Sequence, residues 1–473
     1  MPGTLTQTAE PEAVIDRRRW LALVVVCLGQ LLVIVDTTIV NVALPSIRAD
    51  LGFDQAGLAW VVDAYLVTFG SFLLLGGRLG DLLGRKRVFL GGVALFTIAS
   101  LLCGIAQTQG ELLAGRFLQG LGSAGASSAV LALIVIEFPG AAERAKAMSV
   151  YTFVLVSGGS LGLVLGGALT DAIDWHWIFF VNLPIGLAAL VLGRRMIDDD
   201  KGQGLGEGVD WLGSVLITAS LMAGIFAIIK VPEYGWGSAH TLGFLALSGV
   251  LLGALLLVES RSDNPILPPH VFRIRSLVDS SVVRAALVTG MYTMFFLRSL
   301  WMERIEHADA LQTGLSFLPQ TLVVAVLSLG VTTRLVARFG AKRVLLGGLS
   351  LMSISLVVLA LLDQHSGYFP FALIALLLLG LGAGATFMPL VVLAMEDVPP
   401  EDAGLASGLV NVSVQLGGAL GLAVLGTIAS DRTSSLAAGG ASPVDALVGG
   451  YQLAFWLGAA CVAAGGLFAA RRL

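Results

Sequence analysis

The sequence predicts an all-α membrane protein of 14 transmembrane helices: two six-helix bundles related as a parallel pseudo-two-fold repeat, with two further helices between them. Three observations carry this. The mean hydropathy is +0.89, with 56% hydrophobic and only 13% charged residues, about half the charge that a soluble surface needs. Apolar runs of roughly 20 residues, the length that crosses a bilayer as a helix, follow one another along the chain. A basic turn, Arg78-Leu-Gly-Asp-Leu-Leu-Gly-Arg-Lys-Arg-Val88, returns 256 residues later as Arg334-Leu-Val-Ala-Arg-Phe-Gly-Ala-Lys-Arg-Val344, with Ala337 in place of Asp81.

Residues 1–19 read as a polar cytoplasmic tail. Arg17-Arg18-Arg19 precedes an apolar run that is too long for a signal-peptide core, so the run is expected to stay as the first span. The N-terminal bundle covers 20–197, with spans at 20–44, 57–77, 88–106, 111–135, 146–170 and 177–196. A linker with two extra spans, 211–229 and 241–259, covers 198–269; it opens on the polar run Asp198-Asp-Asp-Lys-Gly-Gln and closes on the Pro-rich stretch 261–269. The C-terminal bundle covers 270–473, with spans at 280–302, 312–333, 344–362, 369–393, 404–428 and 450–469. Two more matches support the repeat. Gly158-Gly-Ser-Leu-Gly-Leu163 recurs as Gly417-Gly-Ala-Leu-Gly-Leu422, and Gly120-Leu-Gly122 as Gly380-Leu-Gly382. Repeats of this kind build many secondary transporters, with the substrate site between the halves.

With the N-terminus inside, only six of the 28 basic residues lie away from the cytoplasmic face: Arg48, Arg116, Lys230, Arg298, Arg304 and Arg432. An even number of spans returns Arg471-Arg472 to the same side. The expected location is the cell (cytoplasmic) membrane, multi-pass, with both termini cytoplasmic. A net charge of −4 supplies no basic field for nucleic acid. Cys27, Cys103 and Cys461 are isolated in apolar runs and suggest neither a disulfide nor a metal site. Gly120-Leu-Gly-Ser-Ala-Gly125 matches a dinucleotide-binding pattern formally, but no strand precedes it, so that reading is rejected.

The chemistry-bearing candidates are charges inside apolar spans. A charge at the bilayer centre costs on the order of 2.5–3.5 kcal/mol, so it needs a cavity, a partner or a proton. Asp36 and Asp63 fit a carboxylate that is dry in one state and wet in another, which is a proton carrier. Either could instead bond backbone or sit at the outer headgroup level. Arg116 cannot deprotonate and would act electrostatically, or else snorkel to the outer interface. Gly158, Gly162 and Gly166, every fourth residue, form a smooth helix face for close packing. Tyr65, Gln119, Tyr292, Phe295, Phe296, Asn411 and Gln415, with Asp63, are candidates for lining a substrate cavity, and packing roles stay open for each.

At these residues the chain resembles the major facilitator superfamily, and within it the fourteen-span drug:proton antiporters. The motifs are Gly77-Arg-Leu-Gly-Asp81 with Gly84-Arg85-Lys86, Asp36-Thr-Thr-Ile-Val-Asn-Val-Ala-Leu-Pro45, Arg116-Phe-Leu-Gln-Gly120, Gly158-Gly-Ser-Leu-Gly162 through Gly166-Gly167, Trp175 through Gly186, Val209 through Gly213, and Gly404 through Asn411. Leu82 and Leu163 depart from the motifs, and the charged stretch 298–309 has no counterpart in them. The resemblance implies a proton-coupling role for Arg116 with Asp36. It also implies a cytoplasmic gate in which Asp81 approaches the helix starting near Gly404 and Arg85 pairs with Glu137. The expected function is proton-coupled export of lipophilic or cationic small molecules by alternating access, as a monomer, with no cofactor and the proton gradient as energy source. A proton symporter importing a metabolite, or a dedicated exporter of one endogenous natural product, are the alternatives. No nucleophile constellation or metal cluster suggests an enzyme.

Overall fold

The computed structural model describes residues 17–200, 202, 204, 211–259, 270–308, 310–399 and 402–473. The predicted tail up to residue 16 and parts of both linkers, with Asp309 of the charged stretch, lie outside the described residues.

The described chain is helical. In order come α1 (Arg17–Leu51), α2 (Gln55–Leu83), α3 (Arg85–Gly104), α4 (Gln109–Glu137), α5 (Ala141–Ala172), α6 (Trp177–Phe180), α7 (Asn182–Met196), α8 (Trp211–Ile229), α9 (Val231–Tyr234) and α10 (Ala239–Glu259). Then follow α11 (Arg275–Arg304), α12 (Ala310–Ser316), α13 (Leu318–Val326), α14 (Thr332–Phe339), α15 (Ala341–Ala360), α16 (Leu373–Ala394), α17 (Ala403–Ala438) and α18 (Pro443–Arg472). Among the described residues 12 helices are long and apolar enough to cross a membrane, or 13 when the two parts of the bent α5 are taken as one span. The expected span at 312–333 is not one regular helix. A π turn over Leu327–Val331 separates α13 from α14, and Gly330 within it has φ 117°.

Local signals set the ends. Thr108 caps α4: its hydroxyl accepts the Glu111 N–H at 3.3 Å, while the Glu111 carboxylate accepts the Thr108 N–H at 3.2 Å. Gly84 ends α2 and starts α3 at φ 101°, and Gly340 makes the same break between α14 and α15 at φ 83°. These two glycines occupy equivalent places in the two basic turns, where an L side chain is disfavoured.

The repeat is also one of packing. The site of a Cβ on Gly122 lies 2.8 Å from the Gly92 carbonyl oxygen, and that on Gly382 lies 2.7 Å from the Gly348 carbonyl oxygen. So α3 meets α4 as α15 meets α16. The predicted glycine face of α5 packs on α1: Cβ sites on Gly162 and Gly166 lie 2.8 Å from the carbonyl oxygens of Val35 and Ile39. Gly417 and Gly421, the counterparts of Gly158 and Gly162, seat α17 on α11, with Cβ sites 2.7 and 2.8 Å from the Cα atoms of Ala285 and Thr289. Gly167 is not part of this contact; its nearest neighbour, Val42, is at an ordinary 3.9 Å. Small residues allow such approach where lipid provides no hydrophobic drive between helices.

One apolar core runs through α1–α5 and takes in the first turns of α17, including Leu405, Ala406 and Val410. A second is built from α11, α13, α15, α16 and α18. The pair α8 and α10 is joined by reciprocal bonds, Ser220 Oγ to the Ser248 carbonyl at 2.9 Å and Ser248 Oγ to the Ser220 carbonyl at 2.8 Å. Val215, Val250 and Leu257 on this pair are highly exposed, as suits side chains facing lipid.

Candidate functional site

Asp36 and Arg116 are 0% and 1% exposed and form an ion pair, Nη1 to Oδ2, at 2.6 Å. Two such charges in a low-dielectric interior repay their desolvation only when the remaining donors and acceptors are also met. The surrounding helices meet them. Arg116 Nε donates to the Val61 carbonyl at 2.8 Å and Nη1 to Gln119 Oε1 at 2.8 Å. Gln119 Nε2 donates to Asp36 Oδ1 at 3.0 Å and to Ser100 Oγ at 2.8 Å. Asn182 Nδ2 reaches Asp36 Oδ1 at 3.3 Å. The guanidinium lies 4.4 Å over the Tyr65 ring, whose hydroxyl meets Ser123 Oγ at 3.0 Å. Helices α1, α2, α3, α4 and α7 thus each contribute to one buried polar cluster.

Gln119 and Tyr65, expected to line a substrate cavity, are fully buried members of this cluster instead. Asn182 and Ser100 were not singled out in the sequence. Asn182 could have been, since it stands inside the Trp175–Gly186 motif. Asp63 is not a free carboxylate. Lys230, at the end of α8, contacts it at 3.2 Å, and also contacts Glu233 at 3.1 Å and the face of Trp60 at 5.1 Å. The signal was Lys230 itself, a basic residue on the wrong side for the topology rule. The other expected ligand residues are dispersed. Asn411 Nδ2 donates to the Ser127 carbonyl of α4 at 3.3 Å. Gln415 lies beside Gly70 of α2. Phe295 packs on Phe317, with ring centroids 5.1 Å apart, and Tyr292 and Phe296 are exposed.

A second polar cluster joins α2 to α17. Asp81 accepts the N–H groups of Gly404 and Leu405, each at 3.0 Å, at the start of α17, where the helix dipole favours an acid. Close approach is possible because a Cβ on Gly77 would lie 2.5 Å from the Gly404 carbonyl oxygen. Arg85 binds Asp81 at 2.7 Å, not the Glu137 expected for it; Glu137 accepts the Asp198 N–H at 3.3 Å. The geometry favours Asp81 because it lies one helical turn before Arg85. The acidic run after α7, read as a linker, is docked here. Asp200 accepts the N–H groups of Arg85 and Lys86 at the start of α3, and Lys86 Nζ meets Asp199 at 2.8 Å. The charged stretch after residue 298 has a structural account too: Arg298, buried, pairs with Glu306 at 2.7 Å.

The model of the Major Facilitator Superfamily matches residues 26–422 and 320–473. The chain belongs to this family. It is 39% identical over 445 residues to the puromycin resistance protein pur8 of Streptomyces alboniger, covering 93% of this chain and 88% of that one. It is 36% identical over 431 residues to the cephamycin export protein CmcT of Amycolatopsis lactamdurans, covering 90% and 89%. Among solved structures it resembles the human organic anion transporter MFSD10, with a TM-score of 0.68 at 16% identity over 95% of this chain and 99% of that one, a likeness of fold alone. A superfamily chain of this kind is a multi-pass membrane protein.

Proposed function

We propose that this superfamily member is an efflux transporter of lipophilic small molecules in the cell membrane, coupled to protons through Asp36. Curated relatives over nearly the whole chain are export and resistance proteins of this superfamily. In this reading α6 with α7, and α12 through α14, are single crossings. The protein then has the fourteen spans of the drug:proton antiporters, arranged as two six-helix bundles around the inserted α8 and α10, with both termini cytoplasmic.

The observation that carries the coupling is the Asp36–Arg116 pair. Protonation of Asp36 removes its charge and leaves Arg116 with a neutral partner. The Coulomb attraction, large where water is excluded, is lost while the hydrogen bonds from Gln119 and Asn182 can persist. The helices bearing them are then free to reorganise. Each proton charge moved inward contributes about 2.3 kcal/mol per 100 mV of membrane potential. The bonds of Asp81 of α2 to the start of α17 and of Asn411 of α17 to Ser127 of α4, with Ser149 Oγ against Thr333 Oγ1 at 3.2 Å, close the two repeats on one side. That side is the cytoplasmic one in this topology.

The test is Asp36→Asn in reconstituted vesicles with an imposed proton gradient. Export of a lipophilic dye should stop while the folded, inserted amount is unchanged. Wild-type export rates in the mutant would refute proton coupling at Asp36.

A further inference from the structure

Among the described residues five basic side chains are buried: Lys86, Arg116, Lys230, Arg284 and Arg298. Four have a carboxylate within ion-pair distance, namely Asp199, Asp36, Asp63 and Glu306. Arg284 has none among the described residues. It is 3% exposed, lies two and a half turns into α11, and its Nε and Nη2 atoms are both buried without a hydrogen-bond partner. Tyr151 of α5, in the other repeat, is near enough to interact with it electrostatically, and Cys27 of α1 with Tyr151. Ser280 and Ser281, one turn earlier on the same side of α11, also carry buried hydroxyl oxygens without a partner.

A buried guanidinium cannot shed its proton, and leaving it unpaired is among the costliest arrangements in a protein. Nε and Nη2 are the two donors on one edge of the guanidinium, which takes both oxygens of a single oxyanion in parallel bonds. We propose that Arg284, with Ser280 and Ser281, is the anchor for an oxyanionic group (carboxylate, sulfonate or phosphate) carried by a transported solute that enters between α11 and α5. This rests on the export reading above and specifies the charge class of its substrates. It also departs from the cation preference that the sequence suggests, because Lys230 already neutralises Asp63.

The test compares two probes with one aromatic skeleton, 1-anilinonaphthalene-8-sulfonate and the neutral N-phenyl-1-naphthylamine. Binding is measured by fluorescence to the full chain in phosphatidylcholine nanodiscs, with no gradient, for wild type, Arg284→Gln and Arg284→Lys. The anionic probe should bind wild type about tenfold or more tightly than Arg284→Gln, the size expected for charged hydrogen bonds, with Arg284→Lys between. The neutral probe should bind all three alike. Thermal stability of Arg284→Gln should not fall, since an unpaired charge is removed; a fall together with equal loss of both probes would make Arg284 structural and overturn the proposal. Equal binding of the sulfonate to wild type and Arg284→Gln would overturn it as well. Mass spectrometry of the purified protein separates the sources: an acidic phospholipid retained by wild type and lost from Arg284→Gln supports the oxyanion site but names a lipid headgroup as its occupant. If the neutral probe is bound alike by all three proteins while the sulfonate is not discriminated, only this inference falls. If no variant binds either probe, the export reading falls with it.

Discussion

At the scale of single residues, the structure pairs charges that the sequence could only count. Asp63 and Lys230 come from segments far apart in sequence, and both are largely buried. Removing one partner of a buried pair typically costs about 3–5 kcal/mol, because the other charge stays behind unpaired. Here Glu233 remains beside Lys230, so Asp63→Asn should cost less than that range. Lys230→Met, which strands Asp63, should cost more than Asp63→Asn. The double variant should recover part of the loss. Melting temperatures of the four proteins in detergent give the coupling; strict additivity would mean that the pair contributes nothing. Transport should follow charge class: with Asp63 neutralised, the Asp63–Lys230–Glu233 group loses one negative charge, and organic cations should be exported less well than neutral dyes.

At the scale of elements, glycine spacing decides how closely helices pass. A methyl group on Gly162 would meet Thr38 and the Val35 carbonyl of α1, whereas one on Gly167 meets only ordinary contact distance. Gly162→Ala should therefore destabilise by roughly 1–3 kcal/mol through overpacking. Gly167→Ala should be neutral within about 0.5 kcal/mol. A melt of the two variants side by side checks this, and equal losses would count against the packing account. The docked acidic run supplies a pH prediction. The hydrogen bond and charge of Lys86 hold the Asp199 carboxyl below its ordinary value of 3.8. A carboxyl depressed in the folded state stabilises fully above its ordinary value and loses that contribution as pH falls through the lower folded one. Hydrogen exchange at the first turn of α3 should thus be unchanged between pH 7 and 5 after correction for intrinsic rates. It should accelerate only at more acidic pH, and Asp199→Asn should remove that acid step.

At the scale of the whole molecule, few polar contacts join the two repeats, and Asp81 makes two of them with the start of α17. Asp81→Asn keeps one acceptor oxygen but removes the charge that the helix terminus and Arg85 both favour. The closed side should open more often, because a ligand or substitution shifts a two-state equilibrium by its difference in stabilising the two states. Single cysteines placed on the inner ends of α4 and α17 should label faster in Asp81→Asn than in wild type, and cysteines at the opposite ends more slowly. Unchanged labelling at both ends would remove Asp81 from the gate.

The all-helical, membrane-spanning fold and its internal repeat were legible in the sequence. Both follow from local rules: backbone groups in lipid must bond within the segment, and basic and glycine motifs recur at fixed offsets. Gly84 with Gly340, and Gly162 with Gly421, show the repeat carried from sequence into turn and packing geometry. Asp36 and Arg116 stood out because isolated charges in apolar spans demand an explanation. Their partners did not. Asn182 and Ser100 look like ordinary polar residues until α7 and α3 bring them to the same carboxylate. Lys230 neutralises Asp63 only because α8 lies along α2, and Arg85 chooses Asp81 over Glu137 only because of the turn at Gly84. The break in the span after Val326 was hidden because hydropathy measures composition and not hydrogen-bond register. Most important for function, no property of the sequence distinguishes Arg284 from the paired arginines. A charge's meaning depends on what lies within a few ångströms of it, and only the tertiary structure decides that distance.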